Sequence, residues 1–114
     1  MPSPTRFAAL SNTPQRIAAG EVREIQTITA HNPSVVSGAY VKIYALAGTT
    51  APDGSAVPIW SGWVGPGIAG SGGTGSTLAV FIGGANFWIA VATEAGAGLS
   101  APATAFQVSI VTAP

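Results

Sequence analysis

Ala39-Tyr40-Val41-Lys42-Ile43-Tyr44-Ala45-Leu46 decides the fold. Ala39, Val41, Ile43 and Ala45 fall on one side of an extended chain, and Tyr40, Lys42, Tyr44 and Leu46 on the other. A period of two predicts a strand with a small apolar row toward a core and an amphipathic row outward. The stretch runs on into Thr50-Ala51-Pro52-Asp53-Gly54. Here proline presets φ, aspartate bonds the backbone ahead of it, and glycine accepts positive φ, so a turn is predicted. A second strand is expected over residues 57–64.

The rest of the chain repeats this grammar. Phe87, Ile89, Val91 and Thr93 alternate with Trp88, Ala90 and Ala92, and apolar residues on both faces predict a central strand. Over residues 105–111, Phe106, Val108 and Ile110 are expected inward and Gln107 and Ser109 outward. Residues 78–82 read as a short buried strand. Residues 22–30 are strand-like, yet Ile25 and Ile28 have opposite parity, which a bulge or two-sided burial would reconcile. Residues 3–10 and 15–19 are weaker candidates. Fifteen glycines and nine prolines leave few windows in which a helix could form. The expectation is an all-β chain: a single β-sandwich of seven to eight short strands, immunoglobulin-like or jelly-roll. Residues 1–20 are expected as an extended N-terminal arm and residues 21–114 as the sandwich. The glycine-rich stretch 65–77 is expected as a flexible surface loop.

Charge narrows the function. Only 7% of the 114 residues are Asp, Glu, Lys or Arg, against about 25% in an ordinary domain. The charges are Arg6, Arg16, Glu21, Arg23, Glu24, Lys42, Asp53 and Glu94, and the net charge is zero with histidine neutral. Free soluble domains usually keep net charge away from zero, so this balance suits a chain that lives in an assembly. No basic patch exists for nucleic acid, and no basic amphipathic helix for a membrane surface. There is no cysteine, which removes disulfides, thiolate metal sites and a cysteine nucleophile together. No continuous apolar run follows Met1–Arg6 as a secretory signal would, so synthesis in the cytoplasm is expected.

Nothing in the sequence assembles a catalytic, metal or cofactor site. Gly65-Pro66-Gly67-Ile68-Ala69-Gly70 matches G-x-G-x-x-G, but the Ser71-Gly72-Gly73-Thr74-Gly75 that follows cannot sustain the helix the fingerprint needs. His31 is the single histidine and, beside Asn32-Pro33, is expected as a turn residue. The four carboxylates read as solvated charges rather than a glycosidase pair. Large aromatic residues are the remaining resource. Tyr40, Tyr44, Trp60, Trp63 and Trp88 are the interface candidates, either for subunit packing or as a platform for sugar rings.

A resemblance adds to this. The order Thr13-Pro14-Gln15-Arg16-Ile17-Ala18-Ala19-Gly20, Ile28-Thr29-Ala30-His31-Asn32-Pro33-Ser34, Ala39-Tyr40-Val41-Lys42-Ile43-Tyr44, the 50–54 turn and Val57-Pro58-Ile59 resembles the small β-sandwich virion proteins of tailed bacteriophages. Within that group it looks most like capsid decoration and accessory head proteins. The resemblance implies a homo-oligomer bound to the major capsid protein or other virion proteins, located in the virion, with no enzymatic residue carried over. Residues 87–102 also resemble the last strands of fibronectin type III modules. That implies the alternative of a cell-surface glycan- or protein-binding module, for example within a tail or head fibre.

Overall fold

A computed structural model describes residues 3–17, 24–34, 36–46, 50–66, 73–78 and 86–113. All its regular elements are strands: β1 (Ser3–Leu10), β2 (Gln15–Arg16), β3 (Glu24–Asn32), β4 (Ala39–Leu46), β5 (Trp60–Val64), β6 (Gly73–Leu78), β7 (Asn86–Ala92) and β8 (Phe106–Ala113). They form two four-stranded sheets, ordered β1-β8-β3-β6 and β2-β7-β4-β5, and every pairing is antiparallel. Along the chain only the β4–β5 connection stays within one sheet, while each other connection passes to the opposite sheet. This is the strand order of a jelly roll rather than of an immunoglobulin-like domain.

The alternation read from the sequence places the core. Val41, Ile43, Ile89, Val91, Phe106, Val108 and Ile110 are all buried in one cluster that draws on both sheets. With no disulfide to help, this burial is the main stabilising term, at about 1.5–3 kcal/mol per large apolar side chain. β7 is a central strand, as its pattern predicts, and β8 is central in the other sheet. The parity conflict in β3 is resolved by a bulge. The register skips a residue between Ile25, opposite Thr112, and Thr27, opposite Val111, which returns Ile25 and Ile28 to the same parity.

Two expectations change. Residues 3–10 and 15–16, inside the stretch expected as an arm, are strands of the two sheets, and Leu10 and Ile17 are buried at 1% exposure each. β1 is an edge strand, where Pro4 breaks no ladder bond that a central strand would need. Part of the glycine-rich stretch expected as a flexible loop is β6, paired with β3 from Thr27↔Leu78 to Asn32↔Gly73. The open edge of β3 offers a complete row of backbone partners, and Thr74, Ser76 and Thr77 supply enough β-preference to use it. Residues 67–72 and 79–82, which include most of the G-x-G-x-x-G match and of the strand expected over 78–82, lie outside the described residues.

Candidate interaction surface

The outer face of the β2-β7-β4-β5 sheet carries most of the sequence-predicted aromatic residues. Its rows follow from register: Tyr40 lies opposite Trp63 and Ala92, Lys42 opposite Ser61 and Ala90, and Tyr44 opposite Trp88, which itself pairs with Arg16. This is the amphipathic row expected to face outward, but half of it does not meet solvent. Lys42 and Tyr44 are each 0% exposed.

The cover over Lys42 comes from the β7–β8 connection. Residues 93–100 fold back over the sheet and close on themselves, with the Thr93 amide donating to the Ser100 carbonyl (3.2 Å) and the Ser100 amide to Glu94 Oε1 (2.7 Å). Lys42 Nζ rises from the sheet to donate to the carbonyls of Gly96 (2.6 Å) and Gly98 (2.8 Å). Ser61 Oγ donates to the Ala95 carbonyl, and Asn12 Nδ2 to the Leu99 carbonyl. Gly98 sits at φ +126°, a conformation that strains any residue with a Cβ, and a Cβ there would also displace the Glu94 side chain, 2.8 Å away. The segment Ala95-Gly96-Ala97-Gly98 has no side chain larger than a methyl group, and a buried cation organises it through its carbonyls.

Burial sets the electrostatics of this cover. Desolvation lowers the Lys42 pKa from the ordinary 10.5, and Glu94 offsets part of that. Desolvation raises the Tyr44 pKa above 10.0, and Glu94 adds to the rise. Glu94 is held below the usual carboxylate value by the Ser100 hydrogen bonds and by Lys42. Tyr44 Oη and Trp88 Nε1 are buried without a hydrogen-bond partner. Tyr44 is therefore a buried residue rather than the exposed contact its alternation suggested, and Trp88 is half-buried beside it.

Trp60 and Trp63 divide across β5. Trp60 is half-buried and packs against the core from the inner side. Trp63 is on the outer side and 56% exposed, with its ring edge-to-face against Tyr40 at 5.0 Å and 62°. The ring also lies over Gly38, where a Cβ would approach it to 2.4 Å, so glycine there gives the indole its seat. Three more large apolar residues are exposed at either end of β5: Ile59 (47%) and Val57 (73%) before it, and Val36 (81%) in the β3–β4 connection. β5 is an edge strand and contains no charged residue.

Asn32 holds one end of this edge and was missed in the sequence beyond its turn role. It is 0% exposed. Its Nδ2 donates to the Ser37 carbonyl (2.8 Å) and, at longer range, to those of Val64 (3.4 Å) and Gly65 (3.3 Å), while Oδ1 accepts from the Ser34 amide (2.9 Å). One side chain thus ties β3, the β3–β4 connection and the end of β5 together. The turn expected over Ala51–Gly54 closes two residues later, at 53–56: Asp53 Oδ1 accepts from the Ser55 amide and hydroxyl as its turn role requires, the Ala56 amide donates to the Asp53 carbonyl, and Gly54 does not take the positive φ expected of it.

Among the described residues no three His, Cys, Asp or Glu side chains gather where they could hold a metal ion. His31 is not in a turn. It is the penultimate residue of β3, opposite Gln107, on the outer face of the other sheet. No family model, no curated protein and no solved structure matches this chain.

Proposed function

We propose that this chain is a non-enzymatic structural component of a phage virion, a capsid decoration or accessory head protein that docks on the shell and stabilises it. The observation that carries the docking is the uncharged β5 edge, where Trp63, Ile59 and Val57 face solvent and Val36 flanks them. Exposed apolar residues grouped on one edge are the usual mark of an interaction site, and an edge strand without Lys, Pro or a bulge lacks the devices that deter pairing. The jelly-roll strand order, which recurs in viral capsid domains, and the resemblance of most of residues 13–93 to virion proteins support the particular setting. Fold alone would not.

The experiment is co-sedimentation of the full chain with heads of the phage that carries its gene, together with the mass of the free protein in solution. Saturable binding that Trp63→Ser weakens supports the reading. A monomer that never binds heads overturns it.

A second reading has one observation in its favour. The Tyr40–Trp63 pair presents a rigid aromatic surface of the kind on which apolar sugar faces stack. A glycan- or protein-binding module would show a saturable shift of tryptophan fluorescence on sugar titration, lost in Trp63→Ser, without any affinity for heads.

A further inference from the structure

The opposite sheet carries a groove of mixed polar and apolar lining that the docking edge does not touch. It is an open depression of about 360 Å³ on the outer face of β1, β8 and β3. Register explains its shape. Arg6, Ser109 and Thr29 stand side by side in one cross-strand row, and Gln107 and His31 in the next, with neighbouring Cβ atoms about 4.5–5.5 Å apart. On the β1 side of the second row the lining residue is only Ala8, where the β1–β8 register shifts between Phe7 and Leu10. Long side chains therefore surround a floor of small ones.

The chemistry of the lining selects the ligand. The backbone groups of β8 and β3, which have a strand on either side, are committed to their ladders, so over the floor of the groove recognition must come from side chains. The polar ones are one guanidinium, two hydroxyls, one carboxamide and one imidazole, with no carboxylate among them, and Phe7, Ala8 and Val108 add apolar lining that suits the C–H face of a sugar ring. Arg6 is exposed, whereas Arg16 is half-buried and Lys42 fully buried, so Arg6 is the one exposed cation among the described residues. A single planar guanidinium matches a monoanionic carboxylate in a two-pronged hydrogen bond, and hydroxyl and amide neighbours match a ligand dense in hydroxyls. The volume is at the lower end of the roughly 300–1,000 Å³ typical of small-ligand sites, which suits one or two sugar rings.

We propose that the groove formed by Arg6, Thr29, His31, Gln107 and Ser109 binds an acidic saccharide, with Arg6 clamping a uronate carboxylate and the neutral side chains bonding the ring hydroxyls. This site is independent of the β5 edge and survives or fails separately from it.

The test is titration of the ¹⁵N-labelled full chain with digalacturonate, its neutral dimethyl ester and inorganic phosphate, read by amide shifts. The expected result is saturable shifts confined to residues 6–8, 29–31 and 107–109, with the ester binding about tenfold or more weakly for want of the charge-assisted bonds. Arg6→Gln, at an exposed position, should lose the same factor with its thermal midpoint unchanged, and Trp63→Ser should bind digalacturonate as the wild type does. No shifts with digalacturonate, equal binding of the ester, or undiminished binding by Arg6→Gln would overturn the proposal. Phosphate reproducing the same shifts at the same affinity would overturn the assignment to a saccharide.

Discussion

Replacing Lys42 by methionine removes the ammonium from beneath the 93–100 loop while keeping most of the aliphatic stem. The two lost hydrogen bonds, at 2.6 and 2.8 Å to loop carbonyls, each belong to the charged class worth about 1.5–3 kcal/mol. Two effects reduce that sum. Methionine no longer bears the cost of desolvating a charge, and the Gly96 carbonyl belongs to an exposed residue that water can reach. The net loss expected is about 1–3 kcal/mol, too little to unfold a domain with an ordinary margin of about 5–15 kcal/mol. It corresponds to a fall in thermal midpoint of about 4–12 °C for a chain of this size. Guanidinium unfolding followed by tryptophan fluorescence gives the stability. Amide exchange gives the location, because the Thr93 and Ser100 amides should lose protection well before those of β4 and β7. A variant as stable as the wild type, with unchanged exchange at those two amides, would refute the view that Lys42 organises the loop.

Other outcomes follow from the same geometry. Asn32→Ala should cost about 2–4 kcal/mol by chemical denaturation, since it deletes bonds to the β3–β4 connection and to the end of β5 and leaves their partners unpaired. Tyr44→Phe should leave stability unchanged or raise it by up to about 1 kcal/mol, because the hydroxyl is buried without a partner; a clear loss would mean that the hydroxyl is satisfied in solution. The pKa values of Glu94 and Asp53 are lowered on folding, so the unfolded chain binds protons more readily. Their contribution is present above the ordinary values of 4.5 and 3.8 and is lost as pH falls through the lower folded values. Glu94→Gln should therefore flatten the acid limb of a stability-versus-pH curve, leaving the part due to Asp53.

Much of the fold was legible because strand alternation is a local signal. The inward rows of β4 and β8 and the alternation of β7 follow from parity at named residues, parity narrowed β3 to a bulge or two-sided burial, and turn chemistry located the turn after β4 to within two residues, though not its closure at 53–56. The strand in the glycine-rich stretch was not, because β6 owes its existence to the open edge of β3 rather than to its own side chains. Residues 3–10 were weak for a similar reason, since edge strands need less apolar alternation than central ones. The fate of the outward row of β4 was also hidden. Nothing in Tyr40-Val41-Lys42-Ile43-Tyr44 tells that the distant 93–100 loop will cover Lys42, or that Tyr44 will be buried while Tyr40 lies beside an exposed Trp63. Aromatic content identified the candidates, and only tertiary packing sorted Trp60, Trp88 and Tyr44 from the one that reaches solvent. The groove around Arg6 and His31 was unreadable for the same cause, as its five residues come from three strands and meet through register alone.

Co-sedimentation with phage heads decides whether the uncharged β5 edge is the capsid-docking surface proposed above. The expected result is saturable binding by the wild type, loss of that binding by Trp63→Ser and Ile59→Asp at unchanged thermal midpoint, and full binding by Arg6→Gln. Heads that sediment free of the wild-type protein, or that bind all the variants alike, would contradict it.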